Sequence, residues 1–298
     1  MRVAVTGATG FLGRRLVRQL ADAGQAALAL TRRQPAESLW PAHVETLQAD
    51  VTDPSSLARA FEGAEAVVHL AAVLVERGGQ TFERINAEGT SNVVAAAEAA
   101  GVRQLVHVSV VNAHENPRYR YLRSRWEGEQ AVQAGRVPWT IARASLLFGE
   151  GDEFFSVLAR TMRLPSPVFP VIGDGGARFH PFAADEFARC LLAVMENPIP
   201  AQGRVYDLGG PEVLTYDEIV DTIRAMIGVR RWKVHVPVPL VWPAAWMMER
   251  LLARPLITME QLRLLEVDSV GEVGLVERAF GFHPTSLRNG LAYLQKRA

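Results

Sequence analysis

The chain has 298 residues, 49% of them hydrophobic and 21% charged, a composition that suits a globular protein with a substantial core and not a disordered or fibrous one. Lys plus Arg and Asp plus Glu number 32 each, so the basic excess that marks nucleic-acid binding is missing. A single cysteine, Cys190, excludes an internal disulfide and a multi-cysteine metal site, and no His and carboxylate cluster has metal-ligand spacing.

The first predicted element is an apolar strand from Met1 to Val5, followed by TGATGFLG (Thr6 to Gly13) and a helix over Arg14 to Ala23, where Leu16, Val17 and Leu20 recur at helical spacing. A strand, a tight glycine turn and a helix in that order aim unpaired backbone N–H groups and the positive end of a helix at one spot, where a phosphate can sit. Gly7 serves the sharp turn, Gly10 the approach of a pyrophosphate, and Gly13 the close packing of helix on strand. The motif occupies the start of the chain and leaves no room for a signal peptide, so a cytoplasmic protein is expected.

A second strand, Ala26 to Leu30, ends in Thr31-Arg32-Arg33. An acidic residue there would hold the ribose 2′-hydroxyl of NAD; two arginines suit a 2′-phosphate, so NADP(H) is favoured over NAD(H). Val44 to Gln48 reads as a third strand leading to Asp50-Val51, and Asp53-Pro54 signals a helix start. Ala66 to Ala72 (AVVHLAA) is an apolar fourth strand. Its His69 is expected to be a core residue satisfied by the backbone, and Ala71 and Ala72 are small enough for a cofactor to lie close. A long helix over Phe82 to Ala100 stops at Gly101, and Leu105 to Val110 is the fifth strand. Strands alternating with helices at this rhythm call for a doubly wound, Rossmann-type parallel sheet of the α/β class.

A helix over Arg118 to Val132 carries Tyr121 and Arg125 four apart on one face, with Tyr119 and Arg123 as a competing pair. A sixth strand, Trp139 to Arg143, follows. Phe182 to Met195 reads as an apolar helix in which Cys190 is a packing residue, Val205 to Leu208 as a strand, and Thr215 with Glu218 as a capping box. The expected division is a dinucleotide-binding domain of residues 1–148 and 177–209 and a smaller C-terminal α/β substrate or interaction domain of 149–176 and 210–298. Phe148, Asp152, Phe155, Arg178 and His180 are candidates by position for a substrate pocket. The longest uncharged run, Val236 to Met248, is too short to span a bilayer and is broken by three prolines. Trp242, Trp246, Met247 and Met248 in it offer either a helix packed on its own domain or an interfacial patch.

The whole pattern resembles the extended or atypical short-chain dehydrogenase/reductase superfamily. TGATGFLG matches its cofactor loop, Asp50-Val51 its adenine contact, HLAA its fourth-strand motif, and Tyr121-x-x-x-Arg125 its catalytic Tyr-x-x-x-Lys pair. HVSVVNA, YLRSRWEGE and PVPLVWPAAWMMERLL are similar, more narrowly, to the branch of the NADPH-binding accessory subunit of respiratory complex I and its bacterial relatives. The resemblance implies cofactor contacts from Thr6, Gly7, Thr9, Gly10, Phe11, Leu12, Gly13, Arg32, Arg33, Asp50, Val51, Leu70, Ala71, Ala72, Val108, Tyr121 and Arg125, and catalytic roles for Tyr121, Arg125 and Ser109. Two positions depart from the pattern: Arg125 stands where the superfamily has lysine, and Val111 aligns with its substrate-binding Ser or Thr. Two functions are therefore expected. One is an NADP(H)-dependent oxidoreductase or epimerase-type enzyme acting on a small carbonyl, hydroxyl or nucleotide-sugar substrate. The other is a non-catalytic NADPH-binding structural or sensing protein with a protein partner or peripheral membrane contact.

Overall fold

The structure is a computed structural model that describes residues 1–33, 39–197, 201–252, 255 and 257–295. Of the stretch expected to form the second domain, residues 253, 254, 256 and 296–298 lie outside the described residues. The chain divides into two compact units: Met1–Ala144 with Ala184–Asp207, and Ser145–Ala183 with Leu208–Ala298.

The first unit is built on a seven-stranded sheet. Strands β1 (Arg2–Thr6), β2 (Ala26–Thr31), β3 (Glu45–Gln48), β4 (Ala66–His69), β5 (Gln104–Val110) and β6 (Trp139–Ala144) are joined by Arg204–Leu208 in the order Arg204–Leu208, β6, β5, β4, β1, β2, β3. The pairings from β3 across to β6 are all parallel. Strand order therefore reverses between β1 and β4, and in an open parallel sheet the crevice beyond that switch point receives ligands. Alternate strand residues, Ala4, Leu28, Val67, Leu105 and Ile141, are buried in one core with Leu57, Val93, Ala97 and Val132 of the helices α2 (Pro54–Ala60), α3 (Gly89–Ala99) and α4 (Arg120–Ala134). The intervening residues Val3, Val5, Val68 and Val106 are equally buried, as the two-residue period of a strand demands when both faces are covered. Helix α1 (Phe11–Asp22) packs against α6 (Ala184–Glu196), with Leu16, Val17, Leu20, Phe187 and Leu191 buried. Cys190 lies fully buried in α6, and burial pushes its thiol well above its usual range, as expected of a packing residue.

Two predicted elements change. The helix expected over Phe82 to Ala100 opens as a π-helical turn, Glu83–Glu88, before becoming α3. The helix expected from Phe182 begins at Ala184, because Phe182–Ala183 pairs as a short parallel strand with Leu147–Phe148. That pairing, and the place of Phe148 in the core of the second unit, put residues 145–148 and 177–183 with that unit.

The second unit has its own core, in which Phe148, Phe155, Phe169, Val171, Phe179, Tyr216, Ile219 and Leu287 are buried. Thr215 caps the helix Tyr216–Met226 with the reciprocal Glu218 bond read from the sequence. Phe148 and Phe155, expected to line a pocket, are instead 2% and 0% exposed core residues. Arg178 is paired with Asp268 at 2.6 Å, and Asp152 accepts hydrogen bonds from Tyr293 and Ser156. His180 is fully buried.

Candidate functional site

The glycine turn after β1 is fixed by contacts that no side chain can share. Gly7 has φ +69°, and a Cβ there would sit 2.8 Å from the Ala71 nitrogen. A Cβ on Gly13 would come within 2.3 Å of the Gly7 carbonyl oxygen, so this glycine closes the turn on itself as well as letting α1 approach β1. Gly10 is the N-cap of α1 and offers no side chain to it, and the first turn carries no acidic residue. The N–H groups of Phe11, Leu12 and Gly13 at that helix start are the donors to which an anion is drawn.

Beside this turn is a cavity of about 210 Å³, lined by Thr6, Gly7, Thr9 and Gly10 of the loop, by Leu30, Thr31 and Arg32 at the end of β2, and by Leu70, Ala71, Ala72 and Val73 after β4. Ala49, Val51, Leu57, Gln80 and Ile85 complete it. Most of the sequence-predicted cofactor residues thus meet at one place. Arg32 reaches it, and its guanidinium has no hydrogen-bond partner among the described residues; Arg33 is exposed and does not line it. Val51 lines the cavity, whereas the Asp50 carboxylate accepts hydrogen bonds from the Thr52 nitrogen and hydroxyl, both at 2.9 Å. An uncapped helix start, a glycine cradle and an arginine beside an apolar slot together fit a dinucleotide with its pyrophosphate at the turn.

Beneath the cavity a chain of hydrogen bonds sets the protonation of His69. The N–H groups of Leu70 and Ala71 donate to the Thr6 hydroxyl, Thr6 Oγ1 lies 2.7 Å from Nδ1 of His69, and His69 Nε2 lies 3.0 Å from Thr90 Oγ1. Thr90 in turn donates to the Asn86 carbonyl at 2.7 Å. The direction of these donors assigns a neutral imidazole with its hydrogen on Nε2. His69 is a core residue, as expected, but side-chain hydroxyls satisfy it, not the backbone. Burial, helped by the Arg125 charge, depresses its pKa to about 3, and His107, stacked on it at 5.1 Å, is also pushed well below its usual range by burial. The unfolded chain takes up a proton near 6.5 while folded His69 refuses one until about 3, so this stability is whole above 6.5 and lost as pH falls through that window. At pH 5 the loss expected from His69 alone is about 2 kcal/mol. Urea denaturation over a pH series checks this, and a midpoint that stays flat from neutrality to pH 4 would contradict it.

Helix α4 brings Tyr121 and Arg125 onto one face. Arg125 is 3% exposed, its Nη2 donates to the Val108 carbonyl of β5, and its Nε has no partner among the described residues. Burial lowers the pKa of this guanidinium, while Tyr121 and Glu129 oppose the shift. Burial likewise raises the pKa of Tyr121 and the Arg125 charge draws it back. The Tyr121 ring meets Phe82 edge-on at 5.7 Å. The competing pair separates: Tyr119 precedes the helix and meets the His114 ring edge-on at 5.5 Å, and Arg123 bonds Glu127 at 2.9 Å on the solvent side. Ser109 is 1% exposed in β5 with a hydroxyl that has no partner among the described residues, and Val111 is buried.

A residue missed in the sequence ties these parts together. Asn86, in the π-helical turn, accepts from the Val73 nitrogen at 2.9 Å, donates to the Val73 carbonyl at 3.1 Å and donates to Ser124 of α4 at 3.0 Å. It therefore joins a wall of the cavity to the helix that carries Tyr121 and Arg125. Gly128 permits the approach, since a Cβ there would lie 2.6 Å from the Asn86 carbonyl. The available signal was a polar residue recurring on an otherwise apolar helix face. Among the described residues no group of three His, Cys, Asp or Glu is placed to hold a metal ion.

The chain has recognisable similarity to known proteins. Residues 3–209 match the model of the NAD dependent epimerase/dehydratase family. The chain is 33% identical over 242 residues to the ceramide reductase of Caulobacter vibrioides, covering 80% of this chain and 74% of that one. It is 28% identical over 245 residues to the mitochondrial NADH dehydrogenase (ubiquinone) 1 alpha subcomplex subunit 9 of Arabidopsis thaliana, covering 79% and 60%. The UDP-glucose 4-epimerase of Thermotoga maritima, solved with UDP-glucose, shares the fold with a TM-score of 0.75 at 18% identity, covering 99% and 97%.

Proposed function

The chain belongs to the NAD-dependent epimerase/dehydratase family, and from that premise we propose that it is an NADP(H)-linked oxidoreductase that reduces a carbonyl, with Tyr121 as the proton donor. The observation that carries this reading is the pairing of a half-buried phenol with a buried guanidinium one helical turn away, on a helix pinned by Asn86 to the wall of the nucleotide cavity.

The glycine turn and the start of α1 bind the pyrophosphate, Arg32 takes a 2′-phosphate, and the Nε of Arg125, without a partner among the described residues, is the donor left for a ribose hydroxyl. The nicotinamide supplies the hydride. Tyr121 donates a hydrogen bond to the substrate oxygen and gives up its proton as negative charge develops there, and Arg125 stabilises the tyrosinate left behind. Burial raises the pKa of the phenol, so at neutrality Tyr121 stands in the acid form that carbonyl reduction requires. The name of the Caulobacter relative, a reductase, supports the same direction. The test is consumption of NADPH in the presence of a panel of carbonyl compounds; no turnover with any of them would overturn the enzymatic reading.

One observation favours a second reading, a nucleotide-binding protein without turnover: Val111 and the enclosed Ser109 offer the substrate oxygen no second donor. Both readings require NADP(H). NADPH at a hundredfold excess over its dissociation constant is expected to stabilise the protein by about 3 kcal/mol, and NADH at the same concentration by clearly less, because only NADPH engages Arg32. Equal melting shifts for the two nucleotides would remove the argument from Arg32.

A further inference from the structure

The second unit carries an apolar surface that its own core does not cover. Strand Trp232–Val236 pairs in parallel with Val168–Ile172, and in their register Trp232 lies beside Val168 and Val234 beside Pro170. All four are exposed, Trp232 by 78%, whereas Phe169 and Val171, which alternate with them, are buried in the core. The chain then enters the helix Val238–Leu251, which buries only Val238 and Ala245. Leu240, Pro243, Ala244, Met247 and Leu251 form an exposed stripe along it, 71% exposed at Leu240 and 74% at Leu251, flanked by exposed Trp242 and Trp246. The strand face and the helix face are joined through Ile172, which packs against the small core of Val238, Ala245 and Leu262.

We propose that this face is a docking surface for a membrane leaflet containing anionic lipid, on which the helix lies in the interfacial plane. Its charge pattern selects that occupant. From residue 228 to 252 there are four cations, Arg230, Arg231, Lys233 and Arg250, against one carboxylate, Glu249. Glu249 accepts from the Met259 nitrogen, Lys233 is held by Asp217 and Asp221, and Arg231 is spent on the carbonyls of Leu164 and Ser166. Exposed Arg230 at one end and Arg250 at the other, 4.1 Å over the Trp246 ring, are left as the rim. A protein partner of ordinary kind would need about one hydrogen bond per 100–200 Å². From Pro237 to Met248 the only polar side-chain groups are the two indole N–H donors, which match the carbonyl and phosphate acceptors of lipid headgroups. An apolar helix face with aromatic anchors and a basic rim is the pattern of an interfacial helix. Among the described residues no helix is long and apolar enough to cross a membrane.

Sedimentation of the full chain, with NADPH present, with vesicles of phosphatidylcholine mixed with phosphatidylglycerol and with phosphatidylcholine alone tests the proposal. The protein is expected to sediment with the mixed vesicles, less with phosphatidylcholine alone, and less as salt is raised. Leu240→Glu and Trp246→Glu are each expected to weaken binding by roughly tenfold or more, with the melting temperature unchanged because both positions are exposed. Three results would overturn it: no sedimentation of the parent with mixed vesicles, equal sedimentation of the glutamate variants, or a dimer in light scattering that Leu240→Glu dissociates while no vesicle binding is seen.

Discussion

Tyr121→Phe is expected to reduce NADPH-linked turnover by a factor of about 10² to 10⁴, the range contributed by one positioned proton donor. The substitution removes only the hydroxyl. The ring remains edge-on to Phe82 and the rest of α4 keeps its anchor through Ser124 and Asn86, so the melting shift produced by NADPH should be nearly unchanged. That combination separates a proton donor from a residue that merely fills space, because a packing defect would lower stability and nucleotide binding together. The alternative tyrosine gives a further check: Tyr119 meets His114 edge-on outside the helix, so Tyr119→Phe should leave the rate within about threefold, well short of what loss of a positioned donor costs. A full rate in Tyr121→Phe would withdraw the proton-donor assignment and leave nucleotide binding as the function of this site.

Much of the site was legible because its constraints are local. TGATGFLG is readable as a phosphate turn since the turn, the helix start and the close approach are decided within eight residues, and Asp53 and Thr215 announce their helices through caps three residues long. Arg32 follows from its distance after the second strand. What could not be read depends on partners far away in the chain. Asn86 acquires its meaning from Val73 and Ser124, 13 and 38 positions distant, and apolar periodicity does not distinguish the π-helical turn around it from ordinary helix. His69 looked like a histidine that the backbone would satisfy, but its partners are hydroxyls on β1 and α3, 63 and 21 residues away. Phe182 and Ala183 continue the apolar pattern of α6 and leave it only because a two-residue strand, Leu147–Phe148, offers them backbone partners. The apolar face of the second unit was visible as PVPLVWPAAWMM, yet only exposure distinguishes a covered helix from an uncovered one.

The other large effect should come from a pair that neither periodicity nor motif points to. Glu129 of α4 has a side chain with no exposure, and Arg143 of β6 meets it with two nearly parallel bonds, Nε to Oε1 at 2.8 Å and Nη2 to Oε2 at 2.6 Å, while Nη1 reaches Asp207 at 3.4 Å. The Glu129 hydrogen bonds hold the Arg143 guanidinium above its usual pKa, against the desolvation that would lower it. Arg143→Leu leaves a buried carboxylate without its hydrogen-bonded partner, which costs about 3–5 kcal/mol and lowers the melting temperature by roughly 10 °C for a unit of this size. Because Glu129 lies one turn beyond Arg125 and contributes to its electrostatic balance, the nucleotide-induced melting shift should shrink as well. Glu129→Leu combined with Arg143→Leu should recover most of the stability, since two apolar side chains can replace a buried ion pair at little net cost. If the single Arg143→Leu variant melts within 2 °C of the parent, the pair is not what fixes α4 against β6. If the double variant is as unstable as the single one, packing volume and not charge is what Arg143 supplies there.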